Sequence, residues 1–382
     1  MKHTLLYARV LTLCALFLLP CTLMGQEESA DLLLQKGENA ERLGLFSLAE
    51  GYYRQALSGD GAVGDGAHLR LGVLYAEKEY YAEAAAMLAD VRRGEYYSEA
   101  QGHLALCMLQ TNMLDSAKHC AERAIESDTA SALAMTVMAC VESRRDEHVS
   151  ALAWAKRALA AKTGYARGEN VMGVVLYRKG DATGSLRHFK RAIQLDSTLT
   201  DAYYNLATLY CSRSNHELAI KLLKEGLRRN PRNIRLFTAL GDAYRLRGDA
   251  PKAMECYNQI LAYDSLHTPT LNRIGTLYRS QGYYDRAIAF HKRALSIRPN
   301  DATAYKYIGK AYMDWGKPDK AIQSFIRATD LCKTDPETYL FLAELYGKQP
   351  KGERKQQNAY RKAARLGDKE AQAWLVKKGI TW

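Results

Sequence analysis

From Ala30 onward the small and bulky apolar positions recur on a helical spacing, and the whole pattern then returns about every 34 residues. Blocks aligned on it begin at Ala30, Asp65, Ser98, Ala132, Ala166, Thr200, Ile234, Thr268, Ala302 and Pro336, in steps of 35, 33 and then 34. The eighth position of each block is Gly37, Gly72, Ala105, Ala139, Gly173, Ala207, Gly241, Gly275, Gly309 or Ala343. Position 20 is equally small, from Ala49 to Ala321, with Ser185 once and a failure only at Lys355. Position 11 is tyrosine in Tyr75, Tyr210, Tyr244, Tyr278, Tyr312 and Tyr346. Positions 20, 24 and 27 read small, bulky, small, as in Ala321, Phe325 and Ala328. Offsets of four and seven mark one face of an α-helix, so each block holds two amphipathic helices. A tight turn separates them around Gly180, Gly248, Gly282 and Gly316. Pro231 and Pro299 end the second helix, because proline cannot continue its hydrogen bonding. One pair alone cannot bury its apolar face, so neighbouring pairs must stack.

These residues carry a resemblance. The period of 34, with Gly or Ala at 8, Tyr at 11, Ala at 20, an aromatic at 24 and Ala at 27, resembles the tetratricopeptide repeat family. The stretch "IGTLYRSQGYYDRAIAFHKRALSIRP", residues 274–299, shows it most plainly. The resemblance implies an all-α fold, a right-handed α-solenoid of about ten stacked helix-turn-helix repeats over residues 26–366. The end, "YRKAARLGDKEAQAWLVKKG" from Tyr360, is similar to the related Sel1-like helical repeat, and residues 367–382 read as a capping helix. Blocks three and four depart from the pattern. Glu142 takes the aromatic position, and "SRRDEHV" has no turn glycine, so looser packing or a bend is expected from Ser143 to His148.

The N-terminus reads differently. Lys2 and Arg9 flank the uncharged stretch "VLTLCALFLLPCTLMG", Val10 to Gly25. A basic start, a short apolar core and a small residue at its end form the pattern of a secretory signal peptide, 1–25. Export to a periplasmic, outer-membrane-associated or secreted location is the expectation. The alternatives are an uncleaved anchoring leader or a lipoprotein at Cys21, where Pro20 fits the lipoprotein motif poorly. No later apolar run reaches the roughly 20 residues a spanning helix needs. Removal of the leader takes two of the basic residues from the net charge of +12 and leaves six cysteines: Cys107, Cys120, Cys140, Cys211, Cys256 and Cys332. They are scattered, without the spacing of a zinc site or a disulfide scaffold. Cys107 with Cys120 is the one pair that invites a check for a bridge.

Catalytic chemistry finds little purchase. "GDGAVG", Gly59 to Gly64, matches the GxGxxG spacing of dinucleotide sites, but it follows a helical pattern with no βαβ unit, and reads as a flexible loop between blocks. The nine histidines contain no HExxH, and neither a GxSxG elbow nor a phosphate-binding P-loop occurs. His291, at the aromatic position 24, reads as a packing residue. No enzyme, cofactor or metal is expected.

In the family resembled, the first helices of successive blocks line a concave face, and ligands meet positions 2, 5, 6, 9, 12 and 13 of the block. Carried onto blocks five to nine, these are Arg167, Asn170, Tyr177, Arg178, Tyr204, Asn205, Arg235, Arg245, Asn272, Arg273, Arg279, Lys306, Tyr307 and Lys310. Asp201, Asp242 and Asp314 are the acidic residues among them, against eight basic ones. Arginine offers a forked donor to carboxylates, asparagine bonds an amide at both ends, and tyrosine adds stacking area. The expectation is a groove that binds an acidic or C-terminal segment of another cell-envelope protein. Asn170, Asn205 and Arg235 echo the order of the family's carboxylate clamp, but Val174 and Ala239 stand where two further polar residues belong. The competing readings are a solvated face with partners docking elsewhere, an anionic glycan or cell-wall polymer, and nucleic acid, which an exported protein would not meet.

Overall fold

The computed structural model describes residues 28–78, 80–92 and 94–382; the leader stretch, with Cys14 and Cys21, lies outside them. The described residues form 21 helices and no strand, and the chain divides into two compact units at Asp181. In the first unit the pairs are α1 (Ala30–Arg42) with α2 (Phe46–Ala56), α3 (Ala62–Glu77) with α4 (Tyr81–Ala89), α5 (Tyr97–Gln110) with α6 (Leu114–Ser127), and α7 (Ala132–Arg144) with α8 (His148–Ala161); α9 (Ala166–Arg178) closes it. The second unit opens with α10 (Ala182–Leu195) and continues with α11 (Thr200–Ser212) and α12 (His216–Arg229), α13 (Ile234–Arg247) and α14 (Ala250–Tyr263), α15 (Thr268–Ser280) and α16 (Tyr284–Ile297), and α17 (Ala302–Asp314) and α18 (Pro318–Leu331). It ends with α19 (Pro336–Gly347), α20 (Glu353–Arg365) and α21 (Lys369–Lys377). Each helix packs on the next within its unit, and first helices also touch across blocks, α11 on α13 and α15 on α17.

Local sequence explains why the helices start and stop where they do. Asn233 and Asp249 accept backbone N–H bonds at the starts of α13 and α14, and Pro251, Pro269, Pro318 and Pro336 sit in first turns, where a missing N–H costs nothing. Position 15 of the block takes a left-handed backbone in eight blocks. Glycine supplies it at Gly44, Gly180, Gly248, Gly282 and Gly316, while Asn112, Asp146 and Ser214 adopt the same conformation with φ near +60°.

Asp146 therefore answers the expectation of looseness around Ser143 to His148. It turns the chain as a glycine would, Val141, Glu142 and Ser143 are buried, and Lys118 meets the Glu142 carboxylate at 3.3 Å. Arg144 donates to the carbonyl of Leu109 at 2.7 Å. Blocks three and four are packed like the others. The "GDGAVG" stretch is also less of a loop than expected, because α3 begins inside it at Ala62. A side chain on Gly64 would strike the carbonyl of Gly59, which accounts for that glycine by close approach.

Packing between the two helices of a pair follows one rule of size. A Cβ added at Gly241 would stand 2.5 Å from the ring of Tyr257, at Gly275 2.6 Å from His291, and at Gly309 2.6 Å from Phe325. Where position 8 carries alanine instead, position 24 carries no ring: Ala121 opposite Ala105, Ala155 opposite Ala139, Leu223 opposite Ala207. All of these side chains are buried. Dense interiors leave no slack for an added methyl, so the two positions are chosen together.

Block ten departs from the register by one residue. Its turn, through Pro350 and Lys351, is longer, and α20 starts at Glu353. Gln356 then faces Gly347 and Ala363 is fully buried, which accounts for Lys355 at the supposed small position. All six cysteines among the described residues are free thiols, Cys107 and Cys120 included. Burial pushes Cys107 and Cys256 up to about 11, which leaves them protonated and inert at neutral pH.

Candidate functional site

The residues expected to face a ligand project from first helices, and the structure gives most of them a partner in the neighbouring block. In the first unit Asn170 is buried and Tyr177 is exposed. Arg178 donates to the carbonyl of Ser143 at 3.3 Å. Arg167 lies close enough to His103 and Glu77 to bias both. Burial, with the charges of Arg167 and Arg70 added, lowers His103 to about 4.

In the second unit the cations run into carboxylates. Arg235 pairs with Asp201 and lies 4.1 Å over the ring of Tyr204. Arg273 Nε meets Asp242 Oδ2 at 3.1 Å, and Arg279 pairs with Asp314. Lys306 reaches Asp335 at 2.9 Å and Glu337 at 3.0 Å, and Lys310 reaches Glu337 at 2.9 Å. Most of these pairs join one block to the next, so the stripe is a ladder between repeats. Asp335, the last residue of block nine, and Glu337, in block ten, both lie outside the positions read for the sequence count. Within this unit six of the named cations face five carboxylates, where the positions read from sequence alone set the same six against three. Asn205 lies on α11, among the same set of first-helix positions.

One cavity opens on this face, with a volume of about 420 Å³. Helices α13, α15 and α17 line it with Asp242, Arg245, Asn272, Arg273, Thr276, Thr303 and Tyr307, and the junction after α16 adds Arg298 and Asp301. Four of the expected residues meet here: Arg245, Asn272, Arg273 and Tyr307. The two acids are occupied from behind. Asp242 accepts from Tyr257 Oη at 2.6 Å and from Arg273; Asp301 accepts from the backbone of Thr303 at 2.9 Å and Ala304 at 3.2 Å, and from Asn272 Nδ2 at 3.4 Å. The cations are less engaged. Arg245 approaches Asp242 only to 3.9 Å, and the exposed Arg298 side chain has no ion pair among the described residues. The cavity thus presents two available guanidinium groups beside hydroxyls of threonine and tyrosine, an arrangement that favours an anion.

Behind the cavity sits His291, fully buried. Its Nδ1 bonds Asn272 Oδ1 at 2.8 Å and its ring stacks on Tyr307 with centroids 5.3 Å apart. Burial, helped by the Arg279 charge, drives it down to about 3, so the ring is neutral and Nδ1 carries the proton. Through Asn272 and Tyr307 this histidine fixes two walls of the cavity. Arg298, Thr276 and Thr303 were missed by the sequence reading. Arg298 comes from the loop before a first helix, and no position within the helix could have announced it.

The fold defined by these pairs is that of a helical-repeat protein. Models of the tetratricopeptide repeat match residues 204–266, 275–316 and 304–335, so the chain carries tetratricopeptide repeats there. The Tom70 structure from yeast shares the fold at 13% identity, covering 88% of this chain and 85% of that one, with a TM-score of 0.53. IFIT1 with m7Gppp-AAAA matches at 14% identity over 90% of this chain and 91% of that one, TM-score 0.53. A tetratricopeptide repeat protein from Parabacteroides merdae matches at 16% identity over 66% of this chain and 99% of that one, TM-score 0.50. No curated protein matches the chain. The repeats make it a protein-binding scaffold in general terms.

Proposed function

We propose that the chain is an exported, non-catalytic adaptor that holds an acidic or C-terminal segment of another cell-envelope protein. The segment binds on the first-helix face of the second unit, anchored at Arg245 and Arg298. The observation that carries this reading is the cavity itself, whose carboxylates are bonded from behind while these two guanidinium groups stay available. Packing of the helix pairs holds the walls in place before a ligand arrives, so little ordering cost falls on the receptor. The leader pattern at residues 1–25 supports export.

The test is capture from a cell-envelope extract with three baits: the chain, Arg245→Glu with Arg298→Glu, and Arg279→Glu. Helicity is first matched by circular dichroism. The reading expects one protein to be retained by the first and third baits, lost by the second, and released by a peptide of its own acidic end. Retention by all three removes the cavity from the binding site. N-terminal sequencing of the protein from its host tests the leader, and a chain that still begins at Met1 counts against cleavage.

A further inference from the structure

Stacked helix pairs give the second unit two edges, one made of the turns within pairs and one of the junctions between pairs. Their charges differ. The turns at 211–219, 245–253, 279–287, 313–321 and 347–355 contain twelve basic and six acidic residues. The junctions at 194–202, 228–236, 262–270, 296–304, 330–338 and 364–372 contain eight basic and nine acidic. Helix dipoles do not produce this, because each edge holds one helix N-terminus and one C-terminus per block. Nor does the repeat demand it. The corresponding turns of the first unit, 41–49, 76–84, 109–117 and 143–151, carry four basic and seven acidic residues.

The cations of the turn edge are also held differently from those of the first-helix face. Arg286 lies 5.8 Å over Tyr278 and 5.4 Å over Tyr283, Lys317 3.0 Å over Trp315, Lys320 5.7 Å over Tyr312, and Lys355 5.6 Å over Tyr346. None of the four has an ion pair among the described residues. An aromatic face orients a cation without cancelling its charge, so all four remain available to an outside anion. Beside them stand exposed apolar side chains, Tyr283 at 51%, Trp315 at 39% and Leu246 at 48%. The exposed acids Asp285 and Asp319 interrupt the row but leave the excess intact.

We propose that this turn edge docks on the surface of an anionic lipid bilayer. These exposed apolar side chains number one at each of three successive turns, and Trp315 rests on the half-buried Tyr284 and Tyr312. They form a narrow row rather than the broad patch a protein interface buries. A bilayer interface accepts such groups one by one. Tyrosine and tryptophan settle at headgroup depth, while lysine and arginine meet the negative surface potential. Among the described residues no helix is long and apolar enough to cross a membrane, so the contact is peripheral.

The test is sedimentation of the full chain with vesicles of phosphatidylcholine alone or with a third phosphatidylglycerol. One variant carries Arg286→Ser, Lys317→Ser, Lys320→Ser and Lys355→Ser; a second carries Tyr283→Ser and Trp315→Ser; a third carries Arg298→Ser alone. The apolar N-terminal stretch is common to all and cancels in the comparison. The proposal expects binding to the mixed vesicles only, weakened by two to three orders of magnitude in the first variant, at least several-fold in the second and by little in the third. Equal binding to both vesicle types, no binding, or unchanged binding by the first variant overturns it. So does sedimentation equilibrium showing a dimer that the first variant abolishes, which gives the edge to a second copy. Failure of the cavity reading leaves these outcomes unaffected, because the third variant separates the two surfaces.

Discussion

Gly309 lies beneath the ring of Phe325, so close that a Cβ on the glycine would stand 2.6 Å from the ring's Cε1. The two helices of block nine meet there, and Phe325 is fully buried. Adding the methyl must push the ring off its rotamer or part the helices. Gly309→Ala is expected to cost about 1–3 kcal/mol. Adding Phe325→Leu, which reproduces the Ala207 and Leu223 pairing of block six, should recover part of that loss in urea unfolding. A double variant no better than the sum of the singles would show that the two positions are not matched in size.

Ser214 turns the chain between α11 and α12 with φ of 60°, at the position where five other blocks use glycine. A left-handed backbone costs a residue with a side chain about 1–2 kcal/mol, against which glycine loses more freedom on folding. Ser214→Gly should therefore stabilise by a net of about 0.5–1 kcal/mol, and Gly282→Ala should destabilise by a similar amount. Opposite signs in paired thermal melts are the readout.

The helical period, the small positions and the turns were legible because each rests on local geometry that one residue type answers best. Asp146 shows the boundary of that legibility. Its turn needed a left-handed residue, the sequence reading looked for glycine, and a short polar side chain tolerates the conformation nearly as well. The candidate site was legible only in part, since position along a helix predicts where a side chain points but not what it meets. Arg235, Arg273 and Lys306 all lie on the expected face, and each is engaged by a carboxylate from a neighbouring block, Asp201, Asp242 and Glu337 in turn. Arg298 enters from a junction, where no periodicity constrains direction.

Lys306 tests whether the ladder couples repeats. Burial pulls its ammonium down, but the hydrogen bonds and charges of Asp335 and Glu337 outweigh that and hold it above the ordinary lysine value. Burial raises both carboxyls in turn, and is outweighed for Asp335 by bonds from Thr338 and Lys306, for Glu337 by bonds from Lys310 and Lys306. Both end below their ordinary values, so their contribution is present above the unfolded carboxylate pKa and fades as pH falls through the lower folded one. Lys306→Met should cost about 1–2 kcal/mol, reduced by solvent at this partly exposed site. Because repeats are coupled mainly to neighbours, amide exchange should quicken in α19 and α20 before α13. Uniform change across the unit would count against a local role.

His291 predicts an acid limb well above the carboxylate range. Its folded pKa of about 3 lies below the 6.5 of an unhindered histidine, so the unfolded chain binds a proton that the folded chain refuses. Stability from this group is complete above pH 6.5 and is lost as pH falls towards 3, by linkage. At pH 5 the loss is about 2 kcal/mol, from roughly 1.36 kcal/mol per pH unit. His291→Phe keeps a ring over Gly275, as Phe325 does over Gly309, but strands Asn272 Oδ1 without its partner. The variant should be about 1 kcal/mol less stable at pH 8, yet lose less between pH 7.5 and 5 in urea titrations. His103, lowered to about 4 in the first unit, retains part of the slope in both proteins. Parallel curves for the two proteins would mean that His291 takes up its proton without unfolding the repeat.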